Sequence, residues 1–135
     1  MANSHFPETP LTLCRAQQAD IGAVMALERG EGFEAFVGRS SRAEHEEILA
    51  SARFAYFLGL DVHGLPVAFA ILRDLDDPHG NIYLKRVAVD SPGRGRGSKF
   101  LALLISWAFH ETSAHRVYLL PPRHQRTELP VVYRY

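Results

Sequence analysis

The chain has 135 residues, 47% of them hydrophobic and 22% charged, which is the length of one domain with enough apolar content for a core. Fifteen Lys+Arg balance fifteen Asp+Glu. That balance excludes the composition of disordered chains and the broad basic excess of dedicated nucleic-acid binders, so any anion-binding site is local.

Cys14 stands alone, so neither an intramolecular disulfide nor a Cys-rich metal cluster can form. It is expected as a buried, apolar-like thiol in a strand. The opening MANSHFPETP has neither the basic n-region nor the apolar h-region of a signal peptide. No apolar run reaches the roughly 18 residues of a membrane span. A cytoplasmic location is therefore expected, with no membrane and no nucleic acid as partner.

Residues 1–10 are polar with two prolines and read as a flexible lead-in. A domain is expected over residues 11–120. Leu11, Leu13 and Cys14 fit a short strand ending at Arg15. Ile21, Val24, Met25 and Leu27 then recur at helical spacing, with Asp20 in an N-cap-like position. Gly30 and Gly32 end that helix. A connection holding Glu31, Phe33, Glu34 and Phe36 follows, and a second helix runs from about Arg42 to Ala52 with Ser40 or Ser41 as its cap.

The middle reads as strands. Phe54 to Leu60 is aromatic-rich, His63-Gly64 supplies a turn, and Val67 to Leu72 returns, with Pro66 at a tolerated first position. Asp74, Asp76 and Asp77 read as a solvated hairpin loop before a third strand from Asn81 to Val89. These make an antiparallel meander. A helix from about Ser98 to Thr112 is apolar almost all round, through Phe100, Leu101, Leu103, Leu104, Ile105, Trp107, Ala108 and Phe109, which predicts burial on more than one side. His115 to Leu120 gives another strand. The fold class is α/β (α+β), a mixed, mostly antiparallel sheet flanked by helices. Phe54, Tyr56, Phe57 and Phe69 are expected in the core or on a sheet face, and Trp107 in helix packing.

The segment Val87-Ala88-Val89-Asp90-Ser91-Pro92-Gly93-Arg94-Gly95-Arg96-Gly97-Ser98-Lys99 carries the chemistry. Its glycines let the backbone turn tightly and approach a ligand. The unpaired amides that open the next helix, backed by the helix dipole, suit phosphate. Arg94, Arg96 and Lys99 add positive charge against one nearby acid, Asp90. A Walker A loop is excluded because Ser98 precedes Lys99, and a dinucleotide fingerprint because Gly93, Gly95 and Gly97 are spaced by two and follow a meander.

With the strand Val87-Ala88-Val89 before it and the apolar helix behind it, Arg94-Gly95-Arg96-Gly97 resembles the phosphate loop of the GNAT family of N-acetyltransferases. That loop has the form Arg/Gln-x-x-Gly-x-Gly/Ala, and Lys99 departs from its last, small position. The order of elements from Leu11 to about Leu120 is similar too. The resemblance implies transfer of an acetyl group from acetyl-CoA to a primary amine by direct attack. Backbone groups of Val87, Ala88 and Val89 would hold the pantetheine arm as an added strand, and Arg94, Gly95, Arg96, Gly97, Ser98 and Lys99 would cradle the pyrophosphate. It also implies that the connection holding Phe33 and Phe36 borders the acceptor pocket.

Two departures qualify the activity. Many members place a Glu base on the motif strand; here Asn81 to Arg86 holds no carboxylate, and the nearest counterpart is Tyr83, a residue type that is a poor base near neutral pH. Glu28, Glu31, Glu34 and His45 are the other candidates, directly or through water, against a plain role as solvated surface groups. At the end, residues 121–135 form an atypical Pro-rich tail where the family has a Tyr-bearing helix and final strands, so those elements read as truncated or altered. Suitable codons for Pro122 to Glu128, read one base later, encode Asp-Thr-Asn-Ala-Arg, which resembles the family's segment there, so a shifted frame is one account of this end. A sheet that loses its last strands exposes an edge, and a homodimer is expected. The alternative reading is an acyl-CoA-binding domain without catalysis.

Overall fold

A computed structural model describes residues 10–29, 41–90, 95–119 and 131–134 of the chain. Strand β1 (Thr12–Arg15) is followed by a 3-10 turn (Gln18–Asp20) and α1 (Ile21–Glu28); α2 (Arg42–Ala50), β2 (Ala55–Leu60), β3 (Pro66–Arg73) and β4 (Asn81–Val89) come next. Helix α3 (Arg96–Glu111), β5 (Arg116–Leu119) and β6 (Val131–Arg134) complete the described elements. The strands form one six-stranded sheet in the order β1-β2-β3-β4-β5-β6. Each pairing is antiparallel except β4 with β5, which is parallel. The meander is therefore as expected, and the single βαβ crossover is carried by α3.

Alternation along the strands divides the core in two. One cluster, with Phe57, Leu72, Ile82, Leu84 and Val117, packs under Phe100, Leu104 and Ala108 of α3. The other, with Tyr56, Leu58, Phe69, Ile71 and Ala88, packs under Val24 of α1 and Ile48 and Leu49 of α2. Phe57 meets Trp107 edge-on at 4.7 Å, so the tryptophan is a packing residue as expected.

Several expectations change. Among the described residues α3 buries a single stripe, Phe100, Leu104 and Ala108, at i, i+4 spacing. Leu101, Leu103, Trp107 and Phe109 only flank that core, because one face alone meets the sheet. Cys14 is half-buried, since β1 lies at the edge of the sheet. The Asp20 carboxylate accepts the Gln17 N–H at 2.8 Å within the 3-10 turn rather than capping α1. The acidic loop is also not merely solvated: Asp74 takes the Arg53 guanidinium at 2.8 Å, and Asp77 accepts the Asn81 N–H at 2.8 Å. Residues 131–134 add an edge strand to β5, because Val131-Val132-Tyr133 is β-branched and aromatic. The expectation of a sheet without its last strands thus does not hold at that position.

The cap of α2 is Ser41. Its hydroxyl accepts the Glu44 N–H at 3.2 Å, and the Glu44 carboxylate accepts the Ser41 N–H at 2.8 Å. Those bonds, the backbone one first, hold the Glu44 carboxyl below its usual range. A carboxyl depressed in the folded state gives stability that is present above its unfolded value and lost as pH falls through the folded one. Ser41→Ala is expected to cost about 1 kcal/mol and a few degrees of Tm near neutral pH. The gap between variant and parent should narrow on acidification, as thermal melts across the carboxylate range will show.

Candidate active site

β4 is where the sheet opens. Ile71 pairs with Arg86 and Leu72 with Leu84, so Lys85 is an extra residue, a bulge that bends and twists the strand. Beside it, β5 pairs with β4 only from Asn81 to Leu84. Beyond the bulge β4 keeps β3 on one side, and among the described residues its other side is open.

The register shows which backbone groups face that opening. The Asp90 N–H donates to the Val67 C=O at 2.8 Å, which makes Ala68 and Val89 a non-hydrogen-bonded pair. The N–H and C=O of Val89, and of Val87 two residues earlier, accordingly point away from β3 and into the gap. Ala88 turns its backbone to β3 and its side chain into the α1/α2 cluster. An extended ligand can pair with Val87 and Val89 as a strand would.

The open edge runs toward the start of α3. Gly95 there has φ +83, a left-handed conformation that favours glycine. The first bond of the helix is Lys99 N–H to Gly95 C=O at 3.1 Å, so the amides of Arg96, Gly97 and Ser98 precede it, and among the described residues no side chain caps them. Gly97 and Ser98 are exposed. The Arg96 guanidinium is taken by Asp90 at 2.5 Å, which lowers its share of the positive field. Arg94 lies outside the described residues, as do Glu31, Phe33, Glu34 and Phe36.

The acetyltransferase (GNAT) family model matches residues 22–129. The chain belongs to this family. It is an acyltransferase that takes acetyl-CoA as donor and an amine as acceptor. No curated protein matches the chain. Among solved structures, spermidine N-acetyltransferase from Vibrio cholerae in complex with CoA and spermine is 16% identical, with a TM-score of 0.69 over 81% of this chain and 69% of that one. A dodecameric structure of spermidine N-acetyltransferase from Vibrio cholerae, in an intermediate state, is also 16% identical, with a TM-score of 0.66 over 81% and 68%. At that identity the likeness is one of fold.

In this GNAT chain the three acid–base candidates among the described residues fall into two places. Tyr83 is half-buried near the end of the β4–β5 ladder, paired with Tyr118 one residue before the last described pair. Their rings stack at 4.9 Å and 17°, and the Arg73 guanidinium lies 5.0 Å from the Tyr83 centroid. Glu28 and His45 share no hydrogen bond with Tyr83 but are brought together beneath the helices. His45 Nε2 lies 2.6 Å from Glu28 Oε1, and they are 0% and 1% exposed. The expectation of solvated side chains thus gives way to burial, because each stands on the apolar stripe of its helix.

Sequence reasoning did not pick out the partners of that pair. The Tyr56 hydroxyl lies 2.6 Å from His45 Nδ1, and Arg86 Nη1 donates to Glu28 Oε2 at 3.1 Å. Burial, with the Glu28 charge adding to it, pushes the Tyr56 phenol up, so it stays protonated. Beside Arg86, burial and then the Arg86 and Arg73 charges lower the Lys85 ammonium, whose Nζ sits 5.4 Å from the Phe54 centroid. A charged residue in the apolar run from Leu84 to Val89 was the available signal for Arg86, since a charge on a covered face needs a partner.

Proposed function

We propose that acetyl-CoA lies along the open edge of β4 and that a primary amine attacks its thioester at the apex between β4 and β5. The observation that carries this is the outward-facing backbone of Val87 and Val89 leading to the amides of Arg96, Gly97 and Ser98 that open α3. The pantetheine arm pairs with Val87 and Val89. The pyrophosphate takes the amides from Gly95 to Ser98, with Arg94, Arg96 and Lys99 supplying charge.

In the reaction the neutral amine nitrogen bonds to the thioester carbon, the C–S bond breaks, and CoA leaves as a thiolate that takes up a proton. The attacking nitrogen loses a proton in turn. Tyr83 is assigned to that apex, where its hydroxyl orients the amine and passes the proton to water. Glu28 and His45 are assigned a supporting place behind Arg86, since neither has surface to offer a substrate.

Spermidine and spermine head the acceptors to test, because a protein of this fold binds spermine. Among the described residues no helix is long and apolar enough to cross a membrane. We assign a cytoplasmic homodimer, supported by edge strands at both ends of the sheet. Purified protein, acetyl-CoA and a panel of amines, read by thiol release and by mass of the product, test the reaction. Amine-dependent release with an N-acetyl product is expected. Tight acetyl-CoA binding with no turnover of any amine overturns it in favour of a binding domain.

A further inference from the structure

We infer that Arg86 is a positioning residue for the acyl-CoA strand, held in place by a buried chain of hydrogen bonds through Glu28, His45 and Tyr56; the inference rests on acyl-CoA pairing with β4. The chain joins four elements. Glu28 is the last residue of α1, His45 lies in the first turn of α2, Tyr56 is on β2 and Arg86 on β4. Glu28, His45 and Tyr56 are 1%, 0% and 3% exposed.

The bonds admit a complete proton order. Glu28 accepts on both oxygens, from Arg86 on Oε2 and from His45 on Oε1, so His45 Nε2 carries a proton. A neutral His45 then accepts the Tyr56 O–H at Nδ1. Each of the three bonds then has one donor and one acceptor, and the Arg86 guanidinium faces the Glu28 carboxylate. A second proton on His45, at Nδ1, would strip the Tyr56 hydrogen of its acceptor, so this order is the satisfied one.

Stability alone does not account for such a chain. A buried ion pair of this kind is often no better than apolar side chains of the same volume. Those would fill the space between two helices and a sheet equally well. What hydrogen bonds add is direction, and direction is needed here. Arg86 sits between the bulge at Lys85 and Val87, where no described residue of β5 pairs with β4. On that stretch β3 fixes one edge of the backbone, and the Arg86 side chain ties it to the helices. The same chain ties the last residue of α1 to the first turn of α2. One network thereby joins the acyl-CoA edge to both helices.

The test uses the full chain and five variants, with Kd for acetyl-CoA by calorimetry, Tm, and KM for donor and acceptor. Arg86→Met and Glu28→Gln are expected to raise Kd for acetyl-CoA at least about tenfold, equal to about 1.4 kcal/mol. Arg86→Lys, which keeps a cation for Glu28, recovers most of the affinity. A triple replacement, Glu28→Leu, His45→Leu and Arg86→Met, is expected to keep Tm while losing affinity like Arg86→Met. Normal acetyl-CoA affinity in the folded triple overturns the inference and makes the network packing alone. If the triple does not fold, Arg86→Met against Arg86→Lys decides: equal affinities at equal Tm overturn it. Nitrogen NMR adds a readout that packing does not move, with the His45 proton expected on Nε2; a proton on Nδ1 overturns the assigned order. A parent protein that does not bind acetyl-CoA, or a Gly97→Ala variant that binds it like the parent, is instead a failure of the binding-edge reading itself.

Discussion

Gly97→Ala raises the Kd for acetyl-CoA by at least about tenfold, a loss of about 1.4 kcal/mol, while the free protein melts no lower than the parent. The two effects have opposite signs because they arise on different sides of the residue. Toward the protein there is room: among the described residues a Cβ at Gly97 would meet only Val89 Cγ2, at 3.9 Å, an ordinary contact. Within the helix, Ala replaces Gly at an exposed position of α3, which favours the helix by up to about 1 kcal/mol. Toward the ligand there is none to spare, since a pyrophosphate cradled by the amides of Arg96, Gly97 and Ser98 must come within hydrogen-bond distance of this backbone. The added methyl stands where the phosphate oxygens approach. Calorimetric Kd and a ligand-free melt separate the terms, and unchanged affinity would remove the phosphate from this turn.

The charge beside that turn is smaller than composition implied. Arg96 is spent on Asp90, and Arg96→Ala leaves Asp90 without its cation next to the phosphate site. Asp90→Asn frees the guanidinium instead. It is expected to tighten acetyl-CoA binding a few-fold at low salt, within the range of exposed ion pairs of about 0.2–1 kcal/mol, with the gain fading as salt rises. Titrations at two ionic strengths check both the sign and the salt dependence.

Much of this was open to reading in the chain. The apolar phase of β4 moves from Ile82 and Leu84 to Val87 and Val89, an even-to-odd switch that marks the bulge at Lys85 before any coordinates. The basic glycine turn announced itself because an αL glycine and consecutive amides require those residue types. Glu28 and His45 were legible as candidates but not as a buried pair, although the signal was there. Glu28 lies four residues after Val24, and His45 three and four before Ile48 and Leu49, so each sits on the apolar stripe of its helix. What no periodicity supplies is the crossing of α1 over α2 that turns two stripes toward each other. The opening came through the family resemblance alone, because residue spacing does not say over which residues β5 pairs with β4. Strand β6 was missed for a different reason. Its local β-propensity is clear in Val131-Val132-Tyr133, but the prolines before it led to a reading of the whole end as tail.

Phe100→Ala is expected to cost about 3–5 kcal/mol, a large part of the roughly 5–15 kcal/mol that holds a domain of this size. The ring is fully buried, one helical turn beyond Arg96, and it rests on a floor of small residues. A Cβ at Gly59 of β2 would sit 3.0 Å from Phe100 Cδ1, 3.1 Å from Cε1 and 3.0 Å from Ala68 Cβ of β3. Glycine is needed there for close approach, not for an unusual φ. The floor is what lets the first turn of α3 lie low enough on the sheet for its amides to meet the end of β4. Gly59→Ala approaches the same joint from below: it overpacks the ring, at about 1–3 kcal/mol, and lifts the helix start, so acetyl-CoA binding weakens along with stability. Combining Gly59→Ala with Phe100→Leu tests whether the two act on one contact, since the smaller side chain makes room for the new methyl. The double variant should then be more stable than the sum of the single losses predicts. Additivity within about 0.3–0.5 kcal/mol would mean that the ring and the glycine do not bear on each other.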